Sequence, residues 1–375
     1  MGMKVAQVAP YFYPHVGGVE SHVLTLSEKL VRNGHEVTVY TSNYENLKED
    51  ENFHGIEIKR VKQLTSIYRT PITPAIKKAV FHGDHDVVHA HTPPPLTAYY
   101  AARACKRSKF PFIVTFHCDL ELPRVIGKIT TAFYQRTFSR YTFRRAKKII
   151  VHTKTYGATS RTIWNFDVSV IPSAVNPERF GDDIDYSAIV KRHELEGKKV
   201  VLFVGRLVYH KGLDYLIDSA KFMSKDVRYV VVGSGDYLDK LRRRVKEKGV
   251  EDKVIFTKSV SFDDIPKYFA CCDVFVLPSV SRLEAFGLVV LEAMASAKPV
   301  IVSNIPGVRE LIEDGKEGFH VEPMNAEDLA EKINLLLSDP ALRKDMGRNG
   351  RKKVEKEFTW DTVVGQIEDV YKEVV

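Results

Sequence analysis

Arg206 and Lys211 stand five positions apart in the segment Gly205-Arg206-Leu207-Val208-Tyr209-His210-Lys211-Gly212. An apolar run that reads as a strand precedes this segment, and a helical pattern follows it. Two cations in a strand-to-helix loop suit a diphosphate, because arginine offers a planar fork and lysine a point charge. A second set is Glu284-Ala285-Phe286-Gly287-Leu288-Val289-Val290-Leu291-Glu292, with seven residues between its two glutamates. Gly287 opens a predicted helix there, so its amide and that of Leu288 can face a phosphate. Glu292 lies more than one turn inside that helix, where a carboxylate turned back accepts two ribose hydroxyl protons. Carboxylates at an otherwise apolar helix start are costly unless they find partners.

Two weaker signals lie in the first half. Gly17-Gly18 separate the first predicted strand from the first helix, where bare backbone amides can approach an anion. They do not form the G-x-G-x-x-G dinucleotide pattern, and a plain tight turn explains them equally well. His117 closes Thr115-Phe116-His117 at the end of a strand, the place for a catalytic group and also for a structural histidine. His89 and His91, at the end of the preceding strand, read as structural.

The elements that must position these residues alternate along the chain. Lys4–Ala9 reads as a strand, and a helix over Gly18–Asn33 follows with Val19, Val23, Leu26 and Leu30 on one face. Further strands are predicted at Ile56–Val61, Val87–His91, Pro111–His117 and Lys148–Thr153, with helices near Gly127–Arg145 and Thr155–Asn165 among others. The pattern lapses into polar sequence over Asn176–Glu196, which reads as a linker. It restarts at Val200–Val204 and runs to Gly318–Val321, and three helices close the chain. Strand–helix alternation implies parallel sheets covered on both faces. The expectation is therefore α/β, two Rossmann-like doubly wound domains facing a deep cleft, with residues 1–175 and the returning C-terminal helix 358–375 in one and residues 176–357 in the other.

The chain has 375 residues, 44% of them hydrophobic and 28% charged, enough for two packed cores. A strand begins almost at the first residue, leaving no room for a signal segment, and no apolar run is long enough to span a bilayer. A cytoplasmic protein is expected. Cys105, Cys118, Cys271 and Cys272 form no Cys-x-x-Cys pair and read as reduced, mostly buried thiols. The net charge of +8 is matched by one segment, in which Arg124, Lys128, Arg136, Arg140, Arg144, Arg145, Lys147 and Lys148 occur without an acidic residue. Ile129, Phe133 and Phe138 are threaded through it. Such a helix can lie on an anionic membrane surface or simply be a solvated face; nucleic acid is not expected as a partner.

Taken together, these motifs resemble the retaining glycosyltransferases of family 4, also called glycosyltransferase group 1, which have the two-domain GT-B fold. The resemblance runs through Gly17-Gly18-Val19-Glu20, Val88-His89-Ala90-His91, Thr115-Phe116-His117, Gly205-Arg206 with Lys211, Gly233-Ser234-Gly235, and Glu284 with Glu292. It implies that Arg206 and Lys211 hold the donor diphosphate, helped by amides at Gly17, Gly18, Gly287 and Leu288. It implies donor-sugar contacts from Glu284, Ala285, Phe286 and Gly287, with Glu284 and His117 as the catalytic residues. Glu292 would bind the ribose, and Val260 would lie near the base. The family often has glycine around Lys258-Ser259-Val260, and its usual Asn-Gly-Val-Asp turn is here Ser173-Ala174-Val175-Asn176.

The implied reaction is retaining hexosyl transfer from a UDP- or GDP-sugar. No cofactor is expected, and no Asp-x-Asp is read on a loop to hold a divalent ion, so metal-independent turnover is expected. The N-terminal half looks most like transferases acting on phosphatidylinositol-type lipids, so the acceptor is expected to be lipid or lipid-linked, with the enzyme peripheral at the inner membrane face. The rival readings are another GT-B enzyme, an epimerase or phosphorylase, and a non-catalytic binder of anionic lipid or nucleic acid.

Overall fold

The computed structural model describes residues 2–15, 17–67, 70–120, 124–181 and 183–375, apart from the side chains of Arg124, Val125, Ile126 and Lys128. The chain forms two compact units, Met1–Ser173 with Trp360–Val375, and Ala174–Thr359.

The first unit holds β1 (Lys4–Val8), β2 (Glu36–Asn43), β3 (Asp50–Phe53), β4 (Ile56–Lys62), the antiparallel pair β5 (Thr65–Ile67) and β6 (Thr70–Ile72), β7 (Val87–Thr92), β8 (Phe112–Phe116), β9 (Lys148–Val151) and β10 (Ser169–Val170). Its main sheet runs β10-β9-β8-β7-β1-β2-β4-β3. Every pairing is parallel except β3 on β4. β3 reads Asp-Glu-Asn-Phe and carries no apolar alternation, so sequence reasoning missed this antiparallel edge. The order reverses between β1 and β7, and ligands bind at such a switch point in open α/β sheets.

The last helix, Trp360–Val374, belongs to this first unit. Its buried Val363, Val364, Ile367, Val370, Tyr371 and Val374 make one face. Asn33 donates to Glu368 at 2.7 Å and His35 stands 3.3 Å from the same carboxylate, tying the helix to the end of Gly18–Arg32.

The second unit holds β11 (Lys199–Val204), β12 (Val227–Val232), β13 (Val254–Phe256), β14 (Val274–Leu277), β15 (Val300–Ser303) and β16 (Gly318–Val321). They form one sheet in the order β13-β12-β11-β14-β15-β16, parallel throughout. Its switch point lies between β11 and β14, and those two strands lead into the Arg206 and Glu284 loops.

Two expectations are corrected. The polar stretch Asn176–Glu196 is not a free linker. Phe180, Ile189 and Leu195 are buried in the second unit's core, and a helix covers Ser187–Arg192. The polar residues occupy its outer face and hid the anchors. The predicted helix Thr155–Asn165 ends at Thr159. There the buried Asp119 carboxylate accepts from the Ser160 and Thr162 hydroxyls at 2.9 and 2.7 Å and from the Arg161 amide at 3.3 Å. A carboxylate that collects local donors competes with the helical ladder.

Candidate active site

At the second unit's switch point, the loop after β11 is drawn tightly against the segment after β14. Gly212 lies in the left-handed region at φ 69°, and a Cβ there would fall 1.9 Å from the Pro278 carbonyl oxygen. Only glycine permits that approach, and the Val280 amide donating to the His210 carbonyl at 2.9 Å closes it. The Lys211 ammonium consequently reaches the Glu284 carboxylate and donates to it. Ser279, fully buried, donates its hydroxyl to the same oxygen at 3.1 Å. Arg206 projects from the same loop, exposed, and has no ion-pair partner among the described residues. Beneath it, Gly233 and Gly235 bring the next loop to the backbone of Gly205 and Leu207, where Cβ atoms would meet carbonyl oxygens at 1.9 and 2.2 Å.

Ala285 and Phe286 are buried, and Gly287, at φ 82°, turns the chain into the helix Leu288–Ala295. The first amides of a helix have no partner within it, so this end presents N–H groups and the positive end of the helix dipole. Glu292 is the single ionisable residue in this apolar helix. Burial pushes its carboxyl up to about 7, partly opposed by the Arg179 guanidinium. Glu284 thus has partners within the protein, whereas no hydrogen-bond partner of the Glu292 carboxylate occurs among the described residues. Val260 is half-buried against the core. Lys258 adopts φ 62°, which explains why glycine suits that position.

In the first unit, Gly17 is extended and Gly18 begins the helix Gly18–Arg32 with open space where a Cβ would stand. His117 is half-buried, and both its ring nitrogens face other imidazoles, His91 Nδ1 at 3.2 Å and His152 Nε2 at 3.0 Å. Sequence reasoning missed His22. It is 7% exposed, and its ring lies 5.1 Å from that of His117. Its signal was present, because position 22 is one helical turn after Gly18.

The basic segment divides. Arg145 donates to the Cys105 carbonyl, Lys147 to that of Val374, and Lys148 pairs with Glu373 at 2.6 Å. Arg136, Arg140 and Arg144 are exposed and unpaired among the described residues, and line a cavity of about 550 Å³ with Lys106, Thr137, Tyr141 and Arg145. Ile129, Phe133 and Trp164 are 65%, 61% and 66% exposed. The side chains of Arg124 and Lys128 lie outside the described residues.

The sequence reading overlooked two Asp-x-Asp sequences, Asp84-His85-Asp86 and Asp183-Ile184-Asp185. Asp84 and Asp86 hold the Lys4 side chain and amide, and Asp185 accepts from the Ser187 amide. Among the described residues no group of three or more His, Cys, Asp or Glu side chains is placed to hold a metal ion. No helix among them is long and apolar enough to cross a membrane.

The family model for glycosyl transferases group 1 matches residues 185–353, and that for glycosyltransferase family 4 matches residues 16–179. An uncharacterised glycosyltransferase of Methanocaldococcus jannaschii is 32% identical over 99% of this chain and 98% of its own length. The GDP-mannose-dependent alpha-(1-6)-phosphatidylinositol monomannoside mannosyltransferase of Mycolicibacterium smegmatis is 29% identical over 94% of each chain. The solved structure of Anabaena HepE in complex with UDP superposes with a TM-score of 0.80 at 23% identity, covering 99% of this chain and all of that one.

Proposed function

The chain belongs to glycosyltransferase family 4 and has the GT-B fold, and from that premise we propose that it transfers a hexosyl group from a UDP- or GDP-sugar to an acceptor, with retention at the anomeric carbon and without a metal ion. The observation that carries this reading is the meeting of Lys211, Glu284 and the Gly287-capped helix at the switch point of the second unit. Arg206 and Lys211 hold the donor diphosphate with the amides of Gly287 and Leu288. Ala285, Phe286 and Gly287 border the sugar with Glu284, whose second carboxylate oxygen accepts from sugar hydroxyls. Glu292 accepts from the ribose, and Val260 borders the base. From the first unit, Gly17 and Gly18 contribute amides and His117 stands by the sugar.

Transfer breaks the bond from the anomeric carbon to the diphosphate oxygen, which keeps the electron pair. The sugar becomes oxocarbenium-like. Cations and amides already in place offset the charge growing on the leaving oxygen without reorganising, which is the largest lever available to such a site. The acceptor oxygen attacks on the face the diphosphate leaves, and the diphosphate oxygen takes the hydroxyl proton. No covalent intermediate on Glu284 or His117 is required.

The HepE complex with UDP and the relative that is GDP-mannose-dependent support a nucleoside diphosphate sugar as donor. The latter's phosphatidylinositol monomannoside substrate supports a lipid acceptor. Arg136, Arg140 and Arg144 beside exposed Ile129, Phe133 and Trp164 support docking on an anionic bilayer, with the enzyme cytoplasmic and peripheral at the inner membrane face. The test is incubation with GDP-mannose or UDP-glucose and phosphatidylinositol vesicles, with the product anomer read by proton NMR. An α-linked product from either α-configured donor is expected; a β-linked product contradicts retention.

A further inference from the structure

Seven hydrogen-bond contacts form a continuous row through the first unit. Thr115 Oγ1 meets His89 Nε2 at 2.7 Å, and His89 Nδ1 meets the Tyr371 hydroxyl at 2.8 Å. Tyr371 contacts the Gln7 carboxamide at 3.0 Å, and the other end of that carboxamide lies 2.8 Å from His91 Nε2. His91 Nδ1 then meets His117 Nε2 at 3.2 Å, His117 Nδ1 meets His152 Nε2 at 3.0 Å, and His152 Nδ1 meets the Ile171 carbonyl at 3.2 Å. Gln7, His89 and His91 are fully buried, Thr115 is 1% exposed and His152 is 7% exposed.

The protons in this row can be counted. With the Gln7 oxygen toward His91, both ends of the three-imidazole section are oxygen acceptors. Its four contacts then need four N–H groups, and three neutral imidazoles carry three. Burial holds His91 and His117 well below the ordinary histidine range and His152 at about 4, so no fourth proton is available at neutral pH. The two orientations of a carboxamide are isosteric, and the hydrogen-bond network decides between them. With its nitrogen toward His91 every contact is satisfied in one direction. The Thr115 hydroxyl donates to His89, His89 to Tyr371, Tyr371 to the Gln7 oxygen, the Gln7 nitrogen to His91, His91 to His117, His117 to His152, and His152 to the Ile171 carbonyl.

Both nitrogens of His117 are therefore occupied. Those of His22 are not: neither has a partner, and the ring is buried against His91, His117, His152 and Trp360. An unmet buried polar group costs about 1–3 kcal/mol. Position 18, four residues earlier on the same helical face, is a glycine with open space over it. A helical side chain leans toward the turn that precedes it, and both His22 nitrogens are buried, so a ligand hydroxyl reaches one of them by a turn of the ring toward that space.

We propose that His22 offers a ring nitrogen to a hydroxyl of the bound sugar or acceptor, and that Gln7, His91, His117 and His152 form a directional wire in which His117 is a positioning residue. The identity of the hydroxyl rests on the transferase reading; the wire does not.

The test uses the full chain labelled with 15N-histidine. His91, His117 and His152 are expected as neutral Nδ1–H tautomers, and Gln7→Glu, which makes both ends acceptors, should add one imidazolium at neutral pH. An Nε2–H tautomer at His117, or no added proton in the variant, overturns the wire. GDP-mannose and UDP-glucose should shift the His22 nitrogens and leave those of His117 in place. His22→Phe keeps a ring and removes both nitrogens. It should lower kcat/KM for donor turnover about tenfold to a hundredfold while UDP or GDP affinity holds and the melting temperature holds or rises, since the unmet buried nitrogens are gone. Wild-type turnover in this variant, or an equal loss of nucleotide affinity, overturns the assignment of His22. Failure of the wild-type chain to bind either nucleotide would instead overturn the transferase reading.

Discussion

Replacing Glu292 with glutamine separates the donor-site reading from a structural one, because proton uptake reports it. Burial displaces this carboxyl from 4.5 to about 7. At about 1.4 kcal/mol per pH unit, the ionised form destabilises the fold by about 3 kcal/mol relative to the protonated one. The folded pKa is raised, so Glu292's contribution is fully present below pH 4.5 and is lost as pH rises through about 7. A ribose reverses the preference, since its two hydroxyls donate to the carboxylate and favour the ionised form. Hydrogen bonds to a charged group contribute about 1.5–3 kcal/mol, so nucleotide binding at pH 6.5 should expel most of one proton. The assay is titration calorimetry of UDP and GDP in buffers of different ionisation enthalpy, comparing wild type with Glu292→Gln. Phosphate ionisation appears in both proteins and cancels in the difference. The wild type should release up to one proton more, and the variant should bind about tenfold to a hundredfold more weakly. Equal proton counts would refute the reasoning, even with weaker binding.

Other outcomes follow from the same geometry. Glu284→Gln keeps a polar partner for Lys211 and Ser279, so it should lower turnover at least a hundredfold with an unchanged circular dichroism spectrum; wild-type turnover would remove Glu284 from the mechanism. Gly212→Ala places a methyl group against the Pro278 carbonyl at a positive φ, and should destabilise the second unit by about 3 kcal/mol or more, read as a lower denaturation midpoint. EDTA should leave turnover intact, and loss restored by magnesium would contradict metal independence. Flotation with anionic vesicles at low salt should fall on Trp164→Ala with Phe133→Ala, and further with rising salt; absence of binding by the wild-type chain would sink the docking reading.

The donor loops were legible because their chemistry is local. Arg206, Lys211 and Glu284 sit in strand-to-helix loops and Glu292 just over one turn into the helix that follows, and strand–helix alternation alone assigns those positions. The pairing of Lys211 with Glu284 was not legible, since it depends on two loops brought together by the order β11-β14. The role of Gly212 is long-range in the same way. The histidines illustrate a further limit. His89, His91 and His117 were visible one by one at strand ends, but the row needs Gln7 and Tyr371, more than three hundred residues apart. Period-2 alternation shows which face each side chain takes and carries no information about which strands are neighbours. Asp119 left no signal in advance, because one carboxylate between Cys118 and Leu120 looks like any loop residue.

The most direct test of the central claim is a thermal-shift series with UDP, GDP, ADP and their sugar derivatives on the wild-type chain and on Arg206→Ala with Lys211→Ala. At a ligand concentration one hundred times Kd the gain is about 2.7 kcal/mol, which corresponds to roughly 5–10 °C for a unit of this size. The account predicts such a shift for one nucleotide family in the wild type and its loss in the double variant. No shift with any nucleotide, or an equal shift in both proteins, would contradict it.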